Sequence, residues 1–181
     1  MFNIMSKIPA FQTMVFGNYN IDGIYEKIVN NIDIELMEKE LVISYDKFPD
    51  KLPNIDDLLK GIYFSYFKTM ENEGYRFYHK GDILIEKYLV VCPKGEYKGW
   101  SQAILSSEGK KLGVSLNIHI FLNDSDLCFD YFCPFLDDIE NIKVAKGQVV
   151  CYPNFWGSLY RHPGTNQDHI TYIRCIIGLP L

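Results

Sequence analysis

The sequence predicts a mainly β chain with helices at its N-terminal end, an α+β arrangement whose core is an antiparallel jelly-roll barrel or sandwich. Three observations predict it. The segment GVSLNIHIFLND (113–124) alternates strictly: Val114, Leu116, Ile118, Ile120 and Leu122 fall on one face, and Ser115, Asn117, His119 and Phe121 on the other. Short β-prone segments separated by turn residues follow one another from Tyr75 to the end. Helical periodicity is confined to the first third.

The elements follow in order. IDGIYEKIVNNI (21–32) puts Ile21, Ile24, Tyr25 and Ile28 on one helical face. ELVISY (40–45) reads as a strand, and Pro49 and Pro53 then interrupt the chain. NIDDLLKGIYFSYFKTMENEG (54–74) reads as a second helix. Asn54 is its expected cap, Asp56 and Asp57 suit its first turn, and Gly74 suits its exit. Leu58, Leu59, Ile62, Tyr63 and Tyr66 form its apolar stripe. YRFYHKGDILIEKYLVVCP (75–93) holds two strands around HKGD, and WSQAILS (100–106) another. DLCFDYF, KGQVVCYP and HITYIRCIIGLPL supply the rest, while Asp137 and Asp138 read as a solvated loop. No boundary suggests a second unit: residues 1–181 read as one domain, with 1–74 the mainly helical part packing on a β core at 75–181.

Composition excludes several classes. Of the 181 residues, 48% are hydrophobic, enough for a globular core. The net charge of −5 gives no nucleic-acid footprint. No apolar run reaches the ~18 residues of a membrane span, and the first residues lack the pattern of a signal peptide. Five cysteines without regular spacing suit free thiols and a cytoplasmic location; Cys128 and Cys133 read as packing residues. There is no dinucleotide or P-loop glycine motif and no nucleophile elbow.

The polar residues open alternatives. His119, with Asn117 and Ser115, either lines a pocket or is a satisfied or solvent-facing histidine on an edge strand. Arg174, alternating with Tyr172 and Ile176, needs an anion if buried: a ligand's carboxylate or one of the chain's own acids. His79 lies in a tight turn, and His162 and His169 flank the turn-rich PGTNQD.

Order and motifs together resemble the 2-oxoglutarate and Fe(II)-dependent oxygenases of the prolyl-hydroxylase-like branch. IHIFLND is similar to that family's strand ending in a Tyr-Leu-Asn type motif, DLCFDYF to the next strand, IKVAKGQVVCYPNFW to the stretch leading to the distal histidine, and TYIRCIIGL to the last strand. IPAF near the start is also similar. The resemblance covers residues 75–181 well and implies a double-stranded β-helix. It also implies iron held by two histidines and a carboxylate, with 2-oxoglutarate beside it.

The ligand positions do not carry that set. The chain has no His-x-Asp or His-x-Glu. Aligned on EYKGWSQAIL, those positions read Ser101, Gln102 and Ala103; aligned on the preceding strand, Lys87 and Leu89. Anchored on Trp156, the distal histidine falls on Tyr160, and a shift of two residues puts it on His162; the residue that clamps 2-oxoglutarate falls on Thr171, three before Arg174. The resemblance therefore implies an oxygenase-like protein whose metal triad is missing or rebuilt, binding a small molecule or protein partner. Its pocket candidates are Asn117, His119, Tyr160 and Arg174. The first alternative is an active hydroxylase using Fe(II) and 2-oxoglutarate at an atypical site drawn from His119, His162 or His169 with an acid such as Asp82 or Asp130. A weaker one is a cupin-like isomerase or lyase. Tyr152, Phe155 and Trp156 are expected to be buried and to anchor the loop after their strand.

Overall fold

The computed structural model describes residues 14–18, 41–47, 55–72, 74, 84–93, 101–102, 112–124, 128–133, 138–143, 145–153, 159–161 and 170–180. The first predicted helix, Asn54, and the Phe155–Trp156 pair lie outside them. The strands are β1 (Met14–Asn18), β2 (Leu41–Ser44), β3 (Leu84–Cys92), β4 (Ser101–Gln102), β5 (Leu112–Phe121), β6 (Cys128–Cys133), β7 (Asp138–Lys143), β8 (Gln148–Pro153), β9 (Leu159–Arg161) and β10 (Ile170–Pro180). The helix α1 spans Ile55–Asn72.

The strands form two antiparallel sheets. The larger has the order β1-β8-β5-β10-β3-β2 and the smaller β4-β9-β6-β7. From β3 onward the described strands pass back and forth between the sheets, and among them only β6 and β7 are consecutive strands of one sheet. This is the winding of a double-stranded β-helix, as expected.

Alternation along the strands creates two distinct faces of the larger sheet. On one, Val90, Cys92, Phe121, Val150, Tyr152 and Tyr172 pack with Tyr131 and, at the edge of the cluster, Ile142 of the smaller sheet. This is the space between the sheets. The opposite face carries Leu89, Val91, Leu116, Ile118, Ile120, Val149, Cys151, Ile173, Cys175 and Ile177, all buried. Fully burying such side chains contributes about 1.5–3 kcal/mol each, and α1 packs on this face at β10 and β3.

Helix α1 buries Leu59, Ile62, Tyr63, Tyr66 and Phe67, while Leu58 is half-buried. Lys87, on the outer face of β3, forms an ion pair with Asp56 in the first turn of α1 at 2.6 Å, and its ammonium lies 5.7 Å from the centre of the Tyr45 ring. Asp56 and Asp57 also complement the positive end of the helix dipole. Gly74 follows with φ 91°, a conformation that costs other residues more, and its N–H donates to Glu71 O at 2.9 Å.

Four local expectations need correction. β1 is a strand in a region expected to be helical; its place is set by pairing with β8, a long-range contact that leaves no local period. Asp138 opens β7 rather than belonging to a loop, because residues 138–143 pair along β6. Residues 159–161, read as part of a loop, pair as β9 with β6 and β4. His119 is not on an edge strand: β5 lies between β8 and β10.

The LND and KGQ motifs act together at one end of β5. Asn123 Oδ1 accepts the Thr171 N–H at 2.8 Å, and Leu122 N–H donates to Thr171 O at 2.8 Å. Gly147, at φ 76°, donates its N–H to Phe121 O at 2.8 Å. Lys146 N–H donates to Asp124 Oδ1 at 2.9 Å. The β5 exit, the start of β10 and the turn before β8 are thereby joined by hydrogen bonds from backbone N–H groups.

Candidate functional site

The polar residues of β5 and β10 converge between the sheets. On β5, Asn117, His119 and Phe121 share the inward face, and both polar side chains are buried. Register places Arg174 directly opposite His119 and Tyr172 opposite Phe121. It also places Tyr152 of β8 opposite Asn117. Directly opposed side chains in an antiparallel pair are close enough to interact, so strand alternation and register alone bring these groups together.

His119 is the centre of the group and is 0% exposed. Its Nε2 lies 3.1 Å from the Tyr152 hydroxyl, in a hydrogen bond whose donor depends on the imidazole tautomer. Its ring stacks on Tyr172 at 4.6 Å and 20° and meets Phe121 edge-on at 6.1 Å. Tyr131, from the smaller sheet, closes on Tyr152 at 5.1 Å. Asn117 Nδ2 is buried and has no hydrogen-bond partner among the described residues.

A polar row crosses the larger sheet on this face. Ser44 of β2 faces Tyr88 of β3, Tyr88 faces Arg174, and Arg174 faces His119. Ser44, Tyr88 and Arg174 are half-buried, whereas His119 is fully buried. Val42, next on the same face of β2, is 43% exposed. The row therefore runs from a solvent-accessible edge to the buried centre. Arg174 lies over the Tyr88 ring at 5.3 Å, a cation–π geometry. The Tyr88 hydroxyl donates to Glu86 Oε2 at 3.0 Å. Burial, then the hydrogen bond and charge of Glu86, push the Tyr88 phenol above its ordinary value, with Arg174 pulling the other way.

Of the predicted site residues, Asn117, His119 and Arg174 come together. Tyr160 lies on β9 in register with Tyr131 and with Ser101, so the positions aligned with the distal histidine and with the His-x-Asp stretch are backbone neighbours. The Tyr160 side chain and residues His79, Asp82, His162 and His169 lie outside the described structure.

One candidate acid is corrected, and one aligned position is placed. Asp130 is buried and accepts a hydrogen bond from Asn141, but it alternates with Tyr131 and so faces away from the space between the sheets. Thr171 alternates with Tyr172 and lies on the helix-covered face, where it cannot clamp a ligand in the barrel. Arg174 holds the inward position instead. Sequence reasoning missed Tyr152 as a partner of His119, and Tyr88 and Glu86 altogether. The period of two in IEKYLVV and QVVCY was the available signal.

No family model matches the sequence, and no curated protein matches it. Solved structures do. The viral collagen prolyl hydroxylase of Paramecium Bursaria Chlorella virus-1, in its 2OG complex, is 12% identical with a TM-score of 0.59, covering 92% of this chain and 96% of that one. A Pseudomonas putida prolyl-4-hydroxylase is 9% identical with a TM-score of 0.56, covering 93% of each chain. An oxidoreductase of the 2OG-Fe(II) oxygenase family from Burkholderia pseudomallei is 13% identical with a TM-score of 0.58, covering 92% and 84%.

The described residues do not fit the iron that this fold family implies. Ser101 and Tyr160, at the positions aligned with the two histidines, bring no imidazole, and Ala103, aligned with the carboxylate, lies outside the described residues. No group of three or more His, Cys, Asp or Glu among the described residues is arranged to hold a metal ion. His119 has the permanent cation of Arg174 directly across from it, which disfavours a divalent metal there. At these identities the likeness concerns architecture, and it agrees with the sheet order found here: the chain has the fold of the prolyl-hydroxylase-like 2-oxoglutarate/Fe(II) oxygenases.

Proposed function

We propose that this chain is a diverged protein of the 2-oxoglutarate/Fe(II) oxygenase superfamily that lacks the usual metal triad and binds a small carboxylic acid in its barrel. The observation that carries the reading is the inward-facing set Asn117, His119 and Arg174. Asn117 Nδ2 is buried without a partner among the described residues, and an unmet buried donor costs about 1–3 kcal/mol. A ligand oxygen at that point offsets the cost. Arg174 presents a cation that is charged at any ordinary pH, beside an interior of low dielectric where its attraction for a carboxylate is stronger than in water. The aromatic rings around His119 supply apolar walls. The free thiols of Cys92, Cys151 and Cys175 support a cytosolic setting, and no helix among the described residues is long and apolar enough to cross a membrane.

Two measurements test the proposal: iron analysis of protein purified without chelator, and calorimetric titration of wild type, His119→Ala, Arg174→Ala and Arg174→Lys with carboxylic acids, including 2-oxoglutarate. Iron well below one equivalent is expected, with a binding signal lost in both alanine variants and partly kept by Arg174→Lys. Stoichiometric Fe(II), with the charge-transfer absorption of bound 2-oxoglutarate, would replace this reading by an active hydroxylase. Unchanged binding in both alanine variants would move the ligand elsewhere.

A further inference from the structure

The inward face holds opposite charges side by side. Arg174 is opposite Tyr88, and Glu86, two residues before Tyr88 on the same face of β3, is opposite Ile176. Glu86 is therefore the diagonal neighbour of Arg174, and diagonal neighbours lie about 7–8 Å apart at the backbone, within reach of long side chains. The Tyr88 hydroxyl holds Glu86 at 3.0 Å, and the Tyr88 ring lies beneath the Arg174 guanidinium at 5.3 Å. One tyrosine thus positions both charges. Glu86 and Arg174 are half-buried, so both remain accessible from the side of β2, where Val42 is exposed.

This arrangement selects among acids. A dicarboxylate anchored on Arg174 brings its second carboxylate toward Glu86, and like charges at this range repel. A simple monocarboxylate leaves Glu86 unmatched. A molecule with a carboxylate and an ammonium on one carbon matches both groups. Resting on the acid-binding reading above, we infer that the ligand is a free α-amino acid. It is bound as a zwitterion, its carboxylate on Arg174, its ammonium on Glu86 and a carboxylate oxygen within reach of Asn117 Nδ2.

The test is calorimetric titration of the full chain with the common L-amino acids one by one. Each one that binds is then compared with its deaminated acid (hydrocinnamate for phenylalanine, isocaproate for leucine, propionate for alanine), on wild type and on Glu86→Gln. The glutamine keeps an acceptor for Tyr88 and removes only the charge. An amino acid is expected to bind at least about tenfold more tightly than its deaminated acid, as a charge-assisted contact provides, and Glu86→Gln is expected to erase that preference by weakening the amino acid alone. Equal binding of the two, binding of deaminated acids only, or equal weakening of both by Glu86→Gln overturns the amino-acid inference and leaves the acid-binding reading standing. If no acid binds, with or without an amino group, both fall.

Discussion

His119 Nε2 and the Tyr152 hydroxyl lie 3.1 Å apart in an interior where both residues are essentially sealed from water. They sit on adjacent strands, two positions out of direct register. The bond therefore exists only when β5 and β8 pair as they do, and it ties the polar site to the sheet.

Tyr152→Phe keeps the ring and removes this bond. The imidazole nitrogen is then left buried without the hydroxyl, a loss of about 1–3 kcal/mol. A lower urea midpoint with unchanged m-value is the expected result. An unchanged midpoint would mean that solvent reaches His119.

Asn123→Ala leaves the Thr171 N–H without its acceptor at a fully buried position. A cost of about 1–3 kcal/mol is expected, together with faster hydrogen exchange of the Thr171 amide. An amide that stays equally protected would show that the LND segment does not fasten β10.

Leu59→Ala removes a completely buried side chain from the face that α1 turns to the sheet. The expected destabilisation is about 2–5 kcal/mol. Phe64→Ala, on the exposed side of the same helix, should leave stability within about 0.5 kcal/mol. Equal effects of the two substitutions would contradict the packing of α1 on the larger sheet.

Burial pushes the thiols of Cys151 and Cys175 well above the ordinary value of 9.0. The unfolded chain then releases these protons near pH 9 while the folded chain holds them, so the unfolded state binds fewer protons and stability falls as pH rises. The melting temperature should decline above about pH 9, and less steeply in Cys175→Val. In the native state both thiols should resist alkylation at pH 8 and react once the chain is unfolded. Rapid native-state alkylation of Cys175 would show that α1 does not cover it.

The sequence by itself determined the local character of β5 and of α1. The alternation around Asn117 and His119 fixed which residues of β5 share a face, because a strand has a period of two. The stripe of α1 and the turn at Gly74 followed from helical spacing and backbone sterics. The motif order was enough to expect a double-stranded β-helix. Tertiary structure alone decided which faces meet. β1, β7 and β9 carry weak local signals and are strands because β8 and β6 pair with them. Asp130 turned outward and Arg174 inward through register, a property of strand pairs rather than of either strand. The same register set Tyr152 beside His119 and joined Glu86, Tyr88 and Arg174 across β3 and β10. The contacts of Tyr152 with His119 and of Tyr88 with Arg174 link residues far apart in the chain, and a local period shows which residues share a face but not which strands meet.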